Sequence, residues 1–347
     1  MSETVPAVAS NDAGSSIEVF AFGDDVSVID GRSAWGYFEG IWRNADWYEP
    51  PVSFVGLAKS FRMSAHHASA IRFKLNLLRR HFVPSRWLDA DTHDRLALDF
   101  MQMGNFFAEA VPNMGGRVLR YRHSPALHTR VGVTAGRYFW VRPDVFGGSI
   151  TGQHEFAAGT MCHVMEPDVE QEIYGVPAWL AALNSGLLNE SATLFRRRYY
   201  INGAHAGFVF YLSEGSINET DAKAIRDKLA AAKGVGNFKN LFIHAPNGKK
   251  DGVQIMPIAE VAAKDEFAGI KNVTRDDLLA AHRTPPQLLG IIPQNNGGFG
   301  DIRSANDVFF QNEIEPIQSR MLQINQHAGL PVVQYRPYVP MLGAGAA

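Results

Sequence analysis

Two long stretches that read as helix, residues 178–200 and 263–283, bracket a segment of alternating apolar character, and nothing else in the sequence constrains the fold as strongly. The first follows Pro177, a residue suited to a helix's first turn, and is stopped by Gly203 and Gly207. The second breaks at Pro285-Pro286, since proline removes a backbone donor and clashes with the preceding turn. Between them Phe208–Leu212 reads as a strand and Asn218–Lys233 as a short amphipathic helix. Asn240–Ala245 and Val253–Ile258 read as strands joined through the turn Asn247-Gly248. The spacing predicts a β-α-β-β unit carried between two helices. Lys264, Asp265, Glu266, Lys271, Arg275, Asp276, Asp277 and Arg283 crowd the second helix and leave it little apolar stripe. Such a helix is stable only when neighbours pack against it.

The remainder divides by hydrophobic period. Residues 1–16 are small, polar and acidic and are expected to be disordered. Residues 17–51 are aromatic-rich, with Trp35, Tyr37, Phe38, Trp42, Trp47 and Tyr48, which points to packing against another domain or subunit. Leu57, Phe61, His67, Ile71, Leu75 and Leu78 recur at helical spacing over 53–81, and a further helix is predicted over 91–103. The period then changes to two: Phe106–Val111, a turn at Pro112–Gly116 and Arg117–Tyr121 form a hairpin, with short strands near 128–133, 137–142 and 160–165. A third long helix is expected over 302–328, after the glycine-rich stretch Gln294–Gly300, and an irregular tail follows from Leu330. The fold class is therefore α+β.

The chemistry-bearing patterns are missing. Neither a phosphate-cradling glycine loop nor an H-E-x-x-H or G-x-S-x-G signature occurs. Adjacent His66 and His67 point to different helix faces and cannot share a metal as an i, i+4 pair would. The carboxylate pairs of the second long helix alternate with cations, the pattern of a solvated face or of intersubunit pairing. No catalytic residue, metal or cofactor is expected. The lone Cys162 lies in an apolar strand and reads as a small buried hydrophobe, compatible with a reducing cytoplasm. No stretch has the roughly 18 apolar residues of a membrane span, and the N-terminus does not resemble a secretory signal. The net charge of −2 argues against a protein that grips nucleic acid by phosphate neutralisation. Two features stay unexplained: Arg196-Arg197-Arg198 near the end of the first long helix, either helix-end cations or contacts to phosphate or another subunit, and the loop Gln294-Asn295-Asn296-Gly297-Gly298-Phe299-Gly300.

Several of these segments together resemble the phage portal family, in particular the PBSX-type portals of contractile-tailed phages. Gly104-Asn105-Phe106-Phe107-Ala108-Glu109, with Gly115-Gly116 and Val118-Leu119, is similar to that family's outer β-region signature. Tyr174-Gly175-Val176-Pro177, followed by Arg197, Tyr199 and Asn202-Gly203-Ala204, resembles its first stem helix. Asp276 to Gly290, ending Thr284-Pro285-Pro286-Gln287-Leu288-Leu289-Gly290, resembles its second. Here Thr284 replaces a usual valine, and His282-Arg283 stand at apolar positions. Phe310, Pro316 and Ile317 match the helix that follows. The resemblance covers roughly residues 30–330 and implies an outer wing at 17–173, a first stem helix at 176–203 and a clip at 204–261. It places a second stem helix at 263–285, a tunnel loop region at 286–300, a kinked return helix at 301–328 and a short crown or irregular tail at 329–347.

It further implies a ring of about twelve subunits that supplies the helices with neighbours and occupies the portal vertex of the virion after assembly in the host cytoplasm. The implied partners are terminase, a head–tail adaptor, major capsid and scaffold proteins, and double-stranded DNA passing without sequence preference. No membrane partner is implied. Lys264, Lys271, Arg275, Gln294, Asn295 and Asn296 become candidates for facing DNA in the tunnel, and Lys249 and Lys250 for partner docking. Arg196, Arg197, Arg198, Trp35, Trp42 and Trp47 become intersubunit candidates. Two other classes compete with this one: a nucleic-acid-processing enzyme, which would need a nucleotide loop or carboxylate cluster, and another head–tail connector or minor capsid protein.

Overall fold

The computed structural model describes residues 41–42, 46–143, 150–201, 208–212, 253–257, 263–292 and 301–340. The described residues open with a two-residue pairing, β1 (Ile41–Trp42) on β2 (Tyr48–Glu49). The helix expected over 53–81 is two helices, α1 (Phe54–Ser60) and α2 (Ala65–His81). Ser64 interrupts them: its backbone is extended and its hydroxyl accepts from the His66 amide, an N-cap that starts a new helix. Tertiary packing favours the break, because Met63 is turned against Gly186, where a β-carbon would come within 2.4 Å of the methionine methyl. Helix α3 (Ala90–Met103) is capped by Asp89 at its start and by left-handed Gly104 at its end.

Two antiparallel sheets follow. The first has the order β4–β3–β8, from β3 (Asn105–Pro112), β4 (Val118–Ser124) and β8 (Met161–Met165). The second pairs β5 (Thr129–Val131), β6 (Tyr138–Pro143) and β7 (Ile150–Glu155) in that order. The hairpin and the strands near 128, 137 and 160 are as the period predicts. Strand β7 went unpredicted because Ile-Thr-Gly-Gln-His-Glu has no apolar alternation to read.

Strand β3 divides the interior. Phe106, Ala108 and Ala110 face a core built with α2, α3 and the C-terminal helices, whereas Phe107 faces a second core with α1, Tyr174 and Trp179. The period of two sends adjacent phenylalanines to opposite sides of the sheet. Cys162, on β8, is buried as expected, and burial pushes its thiol up to about 12.

A short 3-10 turn (Ala178–Ala182) leads into α4 (Leu183–Ile201). β9 (Phe208–Leu212) pairs antiparallel with β10 (Val253–Pro257), and α5 (Ala263–Ala281) returns beside α4. The expected helix at Asn218–Lys233, the strand at Asn240–Ala245 and the turn with Lys249 and Lys250 lie outside the described residues.

After the turn Pro286–Leu289, the expected third long helix is segmented into α6 (Ile302–Phe309), a wide π turn (Phe310–Ile314), α7 (Glu315–Met321) and α8 (Gln323–Ala328). The segment from 330 to 340 lacks helix, as expected, yet it is part of the core: Val332 and Val333 are fully buried and Tyr338 stacks on Phe310.

Candidate functional site

The parts that the sequence separates widely meet at one joint, where both long helices enter the β region. Asn105 is fully buried; its side-chain NH2 donates to the carbonyls of Met103 and Gly175, while its oxygen accepts from the Gly175 amide. Nε2 of His163 completes that oxygen's coordination at 3.0 Å, and its ring stacks on Phe107. Burial pulls the His163 pKa down to about 3, so the ring is neutral and serves as a donor. Gly104 approaches the same backbone so closely that a β-carbon would lie 2.7 Å from the Pro177 nitrogen. Tyr174 donates to the Tyr48 carbonyl and accepts from the Val131 amide, tying β2 and β5 to the segment that leads into the helix. The Gly-Asn and Tyr-Gly-x-Pro segments are thus two halves of one contact.

Below the joint, α4 and α5 run antiparallel through a polar seam. Asn189 donates to Thr274 and accepts from Ser64, and Ser185 donates to Asp277. At the upper end of α5, His282 lies 2.9 Å from His67, which in turn contacts Gln102 at 3.1 Å. The Gln102 NH2 is spent on the Leu57 carbonyl and the Ser60 hydroxyl, so its oxygen must accept; His67 then donates through Nε2 and accepts at Nδ1 from His282. Desolvation holds His67 down to about 4; it holds His282 down to about 2, helped by neighbouring His67 and Lys74. Both rings are neutral links between α2 and α5. Beside them Lys74 pairs with Glu313 at 2.9 Å, and Arg283 binds the other oxygen of Glu313 at 2.9 Å.

The candidates named from sequence are distributed unevenly around this joint. Arg196 and Arg197 are exposed on α4. Lys271 is half-buried on α5. The Arg275 side chain is 14% exposed and engaged with Asp276 and Asn272 of its own helix. Among the described side chains of α5, Val273, Asp276 and Ala280 are exposed, as is Asp277, which Ser185 of α4 holds. Trp47 is corrected as an intersubunit contact, because it is fully buried in its own chain against Phe139 and donates to Glu49. Lys264 and Arg198 lie on described helices but their side chains, like that of Trp42, are outside the description, as are Trp35 and Gln294, Asn295 and Asn296.

Sequence reasoning overlooked Lys74, Glu313, Glu166 and Arg320. The signal was present in Lys74, a cation in the apolar stripe Ile71–Leu78, and in His282-Arg283, which stand where apolar residues are usual.

Residues 82–329 match the family described as phage portal protein. The chain is a member of that family. A probable portal protein of Escherichia phage P2 is 46% identical over 326 residues, covering 94% of this chain and 93% of the relative. A probable portal protein of Haemophilus phage HP1 is 34% identical over 290 residues, covering 83% of each. Among solved structures, an HK97-family phage portal protein from Corynebacterium diphtheriae shares the fold with a TM-score of 0.56 at 13% identity, over 84% of this chain and 96% of that one. A chain from the neck of a native gene transfer agent particle, computed with C12 symmetry, gives 0.53 at 17% identity, over 83% and 86%. Portal proteins are structural, and the polar joint of this portal chain connects its helices to the β region.

Proposed function

We propose that this portal chain is the repeating subunit of a closed ring at the portal vertex of a phage capsid, through whose channel double-stranded DNA is packaged and later ejected. Close similarity to a probable portal protein over nearly the whole of both chains carries the reading. Twelve subunits are expected, in keeping with the C12 symmetry used for the related neck. The exposed apolar positions of the helix pair, Leu188, Leu194, Phe195 and Val273, give the ring neighbours a surface to cover. Arg196, Arg197 and Arg198, with Trp35 and Trp42, are assigned to the same contacts.

In this reading α4 and α5 are the stem, the region between them is the clip, and the clip docks terminase during packaging and the head–tail adaptor afterwards, with Lys249 and Lys250 as contacts. Capsid and scaffold proteins meet the wing, and assembly takes place in the host cytoplasm. Lys264 and Lys271 with Gln294, Asn295 and Asn296 are the tunnel groups. Their low charge suits a channel, because each neutralised phosphate adds affinity that translocation must break. Within the family, the branch assigned is the PBSX-type of contractile-tailed phages. Negative-stain imaging of the purified chain tests the proposal: flared rings with a central channel are expected, and a stable monomer at micromolar concentration would overturn it.

A further inference from the structure

A cleft of about 150 Å³ opens where the end of α5, the middle of α2 and the segmented C-terminal helices meet. Six ionisable side chains line it: Lys74, Arg283 and Arg320 against Glu166 and Glu313, with the neutral ring of His282 beside them. Lys74 and Glu313 form its floor as a buried pair, each side chain 9% exposed. Among the described residues, neither the Arg320 guanidinium nor the Glu166 carboxylate has a hydrogen bond or ion pair, although both border the same space. Three cations against two carboxylates leave one positive charge without a counterpart. The buried Lys74 and Glu313 are paired with each other, so the formal excess of one positive charge lies with the arginines at the mouth, where an anion would balance it. Burial raises the pKa of Glu166, with Arg320, Arg283 and Lys74 acting against the shift.

Arg283 adds an independent observation. Its φ of 49° is left-handed, the only such non-glycine residue among those described. The amide of Thr284 donates to the Leu279 carbonyl and that of Arg283 to the Ala280 carbonyl, the pattern that ends a helix and ordinarily puts glycine at this place. Glycine would adopt the conformation without strain. What arginine contributes is its side chain, which holds Glu313 by one nitrogen and stands 64% exposed over the cleft mouth. A strained residue kept for its side chain is a pointer to function.

We propose that this cleft binds a single oxyanion, a carboxylate or phosphate group, between the guanidinium groups of Arg283 and Arg320 above the Lys74–Glu313 pair. Arginine's fixed fork of donors suits either group. The volume equals about five waters at about 30 Å³ each, enough for inorganic phosphate or the end of an acidic side chain but not for a nucleic acid strand. The two sources are a free ion and a carboxylate of a neighbouring copy; only the second rests on the ring reading.

Inorganic phosphate is the probe. Added to the purified full-length chain at constant ionic strength, it should raise Tm along a saturating curve that chloride does not reproduce. Arg320→Gln should weaken phosphate binding at least tenfold. Arg283→Gly, which keeps the backbone conformation and removes only the guanidinium, should do the same without loss of the folded circular dichroism spectrum. A phosphate response unchanged in both variants, or a shift that never saturates, overturns the site. Binding lost when subunits assemble, with Arg320→Gln rings dissociating at lower salt, identifies a neighbour's carboxylate as the occupant. Equal binding by rings and subunits identifies the free ion. If no rings form, the subunit titration still decides the site, so its failure is distinct from failure of the ring reading.

Discussion

Lys74 lies on the buried face of α2, between Ile71 and Leu75, a position where a lone ammonium would be strongly disfavoured. Burial lowers its pKa, and the facing Glu313 carboxylate opposes that shift. Lys74→Met should leave Glu313 buried with only the exposed Arg283 as partner, costing about 3–5 kcal/mol, as breaking a buried pair does. Removing both charges in Lys74→Met/Glu313→Leu should recover most of that loss, a cycle that urea denaturation can measure.

Acid reports on other residues. His67 and His163 have folded pKa values of about 4 and about 3, against 6.5 in an unfolded chain. The unfolded state therefore binds more protons below pH 6.5, and stability present above that pH is lost as pH falls towards the folded values. Each such ring costs about 1.4 kcal/mol per pH unit within the window. The urea midpoint should fall between pH 6.5 and pH 4.5, and His163→Gln should flatten that fall. An identical pH profile in the variant would remove His163 from the account.

Elements are joined here by backbone contact as much as by side chains. Gly104 ends α3 in the left-handed conformation (φ 69°) and touches the 175–177 backbone, which positions the entry to α4. Gly104→Ala adds left-handed strain of about 1–2 kcal/mol to a clash that no rotamer can relieve. Thermal unfolding should show a loss exceeding the strain alone. Gly116→Ala, equally left-handed at φ 77° but facing open space, should show only the strain and serves as the control. The Ser64 break and the π turn at Phe310–Ile314 belong to this scale too. Each re-aims a helix so that Met63 reaches Gly186 in one case and Glu313 reaches Lys74 in the other.

At the scale of the molecule, strand β3 separates two cores and the helix pair packs on the second of them through Leu183 and Leu278. The chain returns to the first of these cores through the segmented C-terminal helices. The loop following Pro286–Leu289 belongs to this scale, because its proposed contact is with DNA inside the assembled ring. Deleting Asn295–Gly298 should leave rings intact in electron micrographs but reduce the DNA retained in particles. Wild-type numbers of full, infectious particles from the deletion would make that segment a connector.

The sequence by itself determined the α+β class, the hairpin at 105–124, the two long helices and the family, because these rest on local periodicity and on segments that keep their order along the chain. It also determined that Cys162 is buried, since an apolar strand places it there. Only the tertiary structure decided where the helix at 53–81 breaks, for that depends on Met63 meeting a glycine 123 residues away. It decided that Trp47 is consumed internally and that Arg275 is already paired, because a side chain's exposure is set by what packs over it. It alone brought Lys74, Arg283 and Glu313 together. The residues of an ion cluster are drawn from separate elements, and attraction between charges leaves no periodicity along the chain to read.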